Sequence, residues 1–283
     1  MKLIISNEFS FWMEADIFYD FLYSEEYPQF KFMIYQCFPD LKEKLDLAEQ
    51  KEHKKIIEEY IKNTRETNQE NLQKSYNFIK NEVDRNGKNI VQILANLMDY
   101  KDITDDYILV PTIFPVSPFK NNTFFFSIYS ALKGKVEQPS VLAVSVHEIS
   151  HIILLEILKR NTMELNRDVL YFIKELIAPV LVCHNDFGNI YKKEIIGNYN
   201  VLQIYFNVDG EVISAFDYFS KIFTKNITEN KNFLSFLKQI IVLCNKIQIE
   251  ISNKMAFDNK HGRQIMTEPE LLKKYQEPIY IKK

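Results

Sequence analysis

His147-Glu148-Ile149-Ser150-His151 sets two imidazoles four residues apart, with a carboxyl immediately after the first. On an α-helix, side chains four apart stand one above the other at about 6 Å, so both rings can reach one ion. Glu148, about 100° further round the helix, leans over the same side. Zinc accepts nitrogen ligands and, in catalytic sites, keeps one position open for water. A nearby carboxyl outside the ligand set can take that water's proton. Five residues therefore supply two ligands and a general base, which is the chemistry of carbonyl hydrolysis.

A catalytic zinc usually takes a third protein ligand from elsewhere in the chain. Glu156 lies five positions past His151, about 140° round the helix, and cannot readily close the same tetrahedron. Glu164 and Asp168 fall in or just after the following connection. Glu175 is the leading choice because it interrupts the apolar run IKELIAPVLV, where a charged carboxylate needs a metal or a cationic partner. His184, in the turn-like CHND at 183–186, is its main rival, with Glu164 behind. The developing oxyanion also wants a donor beside the metal. His184, Tyr191 and Tyr199 all follow Glu175 and carry suitable groups, and His184 and Tyr199 are the two nominated.

These residues need rigid elements to hold them. VLAVSVHEISHIILLEILKR, after Pro139 and Ser140, predicts a helix of about twenty residues, apolar on most faces and therefore buried. A connection with Asn161, Thr162 and Asn166 leads to RDVLYFIKELIAPVLV, a second apolar helix that Pro179 kinks or caps. Upstream, 41–99 reads as two or three amphipathic helices, with a turn at Asn86-Gly87. In YILVPTIFPVSPF, Pro111, Pro115 and Pro118 suit an edge strand or an irregular loop. VLQIYFNVDG fits either a late strand or more helix, and the remainder is mainly helical.

HEISH followed by Glu175 on a second helix resembles the zincin class of zinc metallopeptidases, and within it the gluzincins, whose ligands are the two histidines and a downstream glutamate. The resemblance covers about 107–185. It implies zinc held by His147, His151 and Glu175, with Glu148 as general base in peptide-bond hydrolysis. It also implies an edge strand ahead of the motif helix that pairs with extended substrate, a place filled by NTFFFSIYS at 122–130. Many gluzincins carry, four residues after the glutamate ligand, an Asp that orients a zinc histidine. Here that position is Pro179, so the orienting group comes from elsewhere or the branch is a divergent one. The longer HExxHxxGxxH form is absent, since Leu154 and Ile157 stand at its Gly and third His positions.

Composition narrows the alternatives. The chain has 283 residues, 46% apolar and 26% charged, enough to bury a core without disulfides or a structural metal. With 38 acidic and 35 basic side chains the net charge is −3, and of the basic residues only Arg65, Arg85, Arg160, Arg167 and Arg263 are arginine, which argues against nucleic acid and anionic membrane as partners. Three unspaced cysteines, no signal-like opening and no uncharged apolar run of 18 residues lead to the expectation of a soluble cytoplasmic protein. Six scattered glycines form no phosphate cradle.

The expected fold is helix-rich α+β: a mostly helical region at 1–106, a zincin-like metal-binding core with a small mixed sheet at 107–210, and a helical region at 211–283, either separate or one continuous domain with the core. The expected partner is a peptide or protein substrate. Two rival functions remain at this point, a non-peptidase zinc hydrolase or metal-binding regulator, and a helical interaction protein in which HExxH is accidental.

Overall fold

The structure, a computed structural model, describes residues 2–6, 11–24, 28–100, 106–192, 195–229 and 232–281. It is a helix-rich α+β fold, with 67% of the described residues helical and two small mixed sheets. The chain separates into two compact units, one formed by Lys2–Lys88 and Asp105–Ser145, the other by Asn89–Thr104 and Val146–Lys283. This partition differs from three consecutive stretches, because 146–210 and 211–283 share one unit while 105–145 belongs to the other.

In chain order the first unit contains β1 (Leu3–Ile5), α1 (Phe11–Tyr23), α2 (Pro28–Cys37), α3 (Pro39–Asp46), α4 (His53–Thr67) and most of α5 (Gln69–Leu97). It continues through β2 (Tyr107–Thr112), β3 (Phe119–Lys120) and β4 (Thr123–Ser127) to the opening residues of α6 (Val141–Arg160). Its sheet runs β1-β2-β4-β3, parallel except for the β3–β4 pair.

Asn86-Gly87 is not a turn, because α5 passes through it. Ile79, Val83, Gly87, Ile90 and Leu94 form a buried stripe at three- and four-residue spacing, so helical periodicity overrides the turn signal. Gly87 is required there by proximity: a Cβ would stand 2.9 Å from the carbonyl oxygen of Leu3.

Two strand expectations are corrected in the same sheet. β2 is central despite Pro111, pairing with both β1 and β4. Tyr107 N–H bonds toward β1 and Ile108 N–H toward the β4 side, at 3.0 and 2.9 Å, so alternation turns the amide-less Pro111 toward β1. The β1 register ends at Ile5–Leu109, so no ladder bond is lost. The stretch 122–130 likewise offers no open edge. β4 lies between β2 and β3, and Phe125 N–H donates to Pro118 O at 2.8 Å on the side away from β2. The adjacent segment 117–120 therefore takes the place a paired peptide would need.

The second unit continues α6 from Val146 and adds α7 (Arg167–Val182), β5 (Tyr205–Val208), β6 (Glu211–Ser214), α8 (Ala215–Thr228), α9 (Phe233–Lys246) and α10 (Gln248–His261), then α11 (Gln264–Thr267), α12 (Pro269–Tyr275) and β7 (Ile279–Ile281). The ambiguous VLQIYFNVDG resolves into a 3-10 turn at Val201–Gln203 followed by β5. Asp209 and Gly210, both at positive φ, form the two-residue connection of the β5–β6 hairpin. β7 pairs parallel to β5, a strand of only three residues inside a region that otherwise reads as helix.

α7 is the central helix of this unit. It packs against α8, α9 and α10. Phe172 meets Phe206 and Phe219 at ring-centroid distances of 6.2 and 6.1 Å. Its first turn is capped by Asn166, whose side-chain oxygen accepts from Asp168 N–H at 2.9 Å. α6 is long and apolar enough to cross a membrane, yet 83% of its apolar window is buried within the fold, which is the placement of a core helix. No disulfide joins Cys37, Cys183 and Cys244.

Candidate metal centre

Every position of α6 from Ser145 to Leu154 is buried, so its polar groups must find partners inside the protein. The two serines do so locally: Ser145 Oγ donates to Val141 O at 2.7 Å and Ser150 Oγ to His147 O at 2.6 Å. His147, Glu148 and His151 are left to be satisfied across the fold. Their residual exposures are 5%, 9% and 2%, and that of Glu175 on α7 is 7%.

The two helices bring three ligand atoms together. His147 Nε2 lies 3.9 Å from Glu175 Oε2, and His151 Nε2 lies 3.6 Å from Glu175 Oε1. The two imidazoles stand 4.4 Å apart between ring centroids, steeply inclined at 77°. One ligand atom from each of the three residues falls within 4.8 Å of the others. Nitrogen and oxygen ligands about 2.0–2.2 Å from a tetrahedral ion stand roughly 3.3–3.6 Å apart, so these separations are long for hydrogen bonds and close to those around a shared cation. The residue types, the spacing and the burial all fit a metal ion.

His147 is fixed by a main-chain group. Its Nδ1 is 2.9 Å from Ile196 O. A carbonyl can only accept, so Nδ1 carries the proton and Nε2 presents its lone pair toward Glu175. Pro179 takes part indirectly. It removes the amide that would bond the Glu175 carbonyl in a regular helix, and Gly197 sits beside that carbonyl, where a Cβ would be 3.5 Å from both Glu175 O and Pro179 Cγ. The position where the resemblance called for an orienting Asp instead seats the segment whose carbonyl orients the histidine.

That segment is tied down by Asn198. Its Nδ2 donates to Tyr171 Oη at 2.6 Å, and its Oδ1 accepts from Asn200 N–H and Val201 N–H at 3.0 and 3.1 Å. Asn200 Nδ2 in turn donates to Asp258 Oδ1 at 2.5 Å and Gly262 O at 3.2 Å, anchoring the strap to α10.

Burial sets the protonation. It drives the pKa of His147 down and that of His151 well down, the latter with help from His147, so both imidazoles are neutral and ready to act as ligands. Burial also raises Glu148 well above the usual carboxylate range, reinforced by the neighbouring charge of Glu175.

Other sequence candidates lie elsewhere. Among the described residues, His184, Glu164 and Asp168 are outside the ligand group. His184 begins a 3-10 turn, its Nδ1 accepting from Asp186 N–H at 3.4 Å, with its ring 6.0 Å from that of Phe223. Tyr199 is 61% exposed. Tyr191 donates to Val182 O at 3.0 Å. None of these contacts leads to the ligand atoms. A groove of about 670 Å³ between β6 and α8, lined by Glu211, Asp217, Lys221 and Lys225 among others, contains no motif residue.

Lys174 was not anticipated. Its Nζ lies 3.3 Å from Glu175 Oε1, the oxygen that also faces His151. A lysine next in sequence to a buried glutamate was the available signal. Compared with known proteins, the chain matches no family model, no curated protein and no solved structure.

Proposed function

We propose that this chain is a zinc-dependent hydrolase of peptide bonds, similar in its ligand set to the gluzincins, acting in the cytoplasm on a peptide or protein substrate. The observation that carries the reading is the meeting of His147, His151 and Glu175 from two helices, with Glu148 buried beside them. An accidental HExxH does not account for a glutamate brought to both histidines by another helix.

When bound, zinc supplies a Lewis acid for the scissile carbonyl and lowers the pKa of a water. The rest belongs to the chain. His147 and His151 offer neutral nitrogen lone pairs, with His147 held in the correct tautomer by Ile196 O. Glu175 contributes the charge that offsets the cation. Glu148 takes the proton of the attacking water and passes it to the leaving amine, so no nucleophilic side chain is consumed.

The burial of all four residues favours a second reading, a metal-binding regulator or a non-peptidase hydrolase whose substrate is smaller than a peptide. Zinc content of the purified protein, followed by incubation of a broad peptide pool with and without chelator, separates the two. Zinc with chelator-sensitive cleavage supports the peptidase; zinc without cleavage supports the second reading; no zinc after reconstitution removes both.

A further inference from the structure

We propose that Lys174 is a second cationic group of this site, paired with Glu175 while no metal is present and turned to an anionic oxygen of the substrate once a metal takes that carboxylate; this rests on the metal-hydrolase reading above.

Glu175 is almost fully buried, and a carboxylate so placed needs a counter-charge. Lys174 provides one at 3.3 Å, with only 20% of its own side chain exposed. The ammonium is held from another direction as well, 5.5 Å from the centroid of the Tyr171 ring. Tyr171 is fixed in turn by Asn198, whose amide donates to its hydroxyl at 2.6 Å. The lysine is thus a positioned charge rather than a solvated one.

Loading a dication changes the balance. Before loading, Lys174 and Glu175 neutralise each other beside two neutral imidazoles. Afterwards the same pocket holds two cations against one ligand carboxylate, and like charges a few ångströms apart in a poorly solvated site repel strongly. An incoming anionic oxygen relieves that repulsion, whereas a neutral ligand does not. The site therefore selects for substrates that carry or develop negative charge at the reacting acyl group, the role for which His184 and Tyr199 were nominated.

The test uses cobalt-substituted protein, in which ligand binding is read from the visible spectrum without any turnover. Acetohydroxamate serves as the anionic probe and imidazole as the neutral one. In Lys174→Met and Lys174→Gln the preference for acetohydroxamate over imidazole should fall by about tenfold, while Lys174→Arg keeps it, as expected for a charge effect. Neutral variants with the wild-type preference overturn the proposal, as do neutral variants that fail to take up cobalt, which would make Lys174 a structural requirement of the ligand set. Wild type that takes up neither cobalt nor zinc overturns the metal reading itself, and the proposal with it.

Discussion

The Nδ1–H of His147 donates to the carbonyl oxygen of Ile196 across 2.9 Å, so a main-chain group on a strap, not a carboxylate, sets the tautomer of a candidate ligand histidine. The strap keeps its place through Asn198, which spends both ends of its amide on Tyr171 and on the turn at Asn200 and Val201. Asn198→Ala should therefore weaken zinc binding by about tenfold, the lower end of what loss of an orienting partner costs. Calorimetric titration of metal-free protein with zinc measures this. An unchanged affinity would show that the strap does not orient His147.

The proposed ligand set of His147, His151 and Glu175 predicts one zinc per chain. His147→Ala and His151→Ala should each remove most of it, because a three-residue set loses both a bond and its geometry. Glu175→Gln keeps the size and loses the charge, and its zinc affinity should fall markedly. His184→Ala should bind as wild type, since His184 is engaged with Asp186. Elemental analysis of the four variants decides, and the reverse order for Glu175 and His184 would refute the assignment.

The ligand helices were legible from sequence because both are long, apolar and bounded by clear signals. HEISH announced itself, and Glu175 stood out as a charge inside an apolar run. The strap was not legible, since its contribution is a backbone carbonyl at Ile196 and no residue type encodes that. Pro179 could be read only as a departure, not as a seat for Gly197. The misread turn at Asn86-Gly87 has a plain cause: a glycine placed for close approach looks, in one dimension, like a glycine placed for a bend.

Gly87 offers a test of that account. Gly→Ala inside a helix gains about 1 kcal/mol in propensity. Here the new Cβ would meet the Leu3 carbonyl at 2.9 Å, and overpacking against backbone costs roughly 1–3 kcal/mol. Gly87→Ala should therefore be neutral to destabilising by about 2 kcal/mol, and Gly87→Val worse. Urea unfolding measures it, and a more stable Gly87→Ala would show that β1 does not press on α5.

The buried histidines and Glu148 predict opposite pH dependences in metal-free protein. Folding lowers the pKa of His147 and His151, so below about 6.5 the unfolded chain takes up protons that the folded chain does not, and stability falls as pH drops through that value. Folding raises Glu148, so the folded chain keeps a proton above about 4.3 that the unfolded chain has lost, and that contribution shrinks as pH rises through the folded value. Thermal midpoints in chelator from pH 5 to 8 should show a shallower acid-side loss in the His147→Gln, His151→Gln double variant. Glu148→Gln should instead gain relative to wild type as pH rises. Parallel profiles for all three proteins would contradict the burial that sets these shifts.

Glu148→Gln also separates a catalyst from a metal binder. Glu148 lies outside the group of three ligand atoms, so zinc content should stay at the wild-type level. The amide matches the carboxyl in size, so the fold has nothing to repack. What disappears is the ability to accept a proton, and peptide hydrolysis should fall by about 10²-fold or more, the usual scale for a general base. The comparison must be made at equal zinc occupancy, with mass spectrometry of a peptide pool as the assay. Undiminished cleavage by zinc-loaded Glu148→Gln would end the role given to this residue. A wild type that holds zinc and cleaves nothing in the pool would shift the reading to the metal-binding regulator or non-peptidase hydrolase, in which Glu148 has no peptide-bond proton to carry.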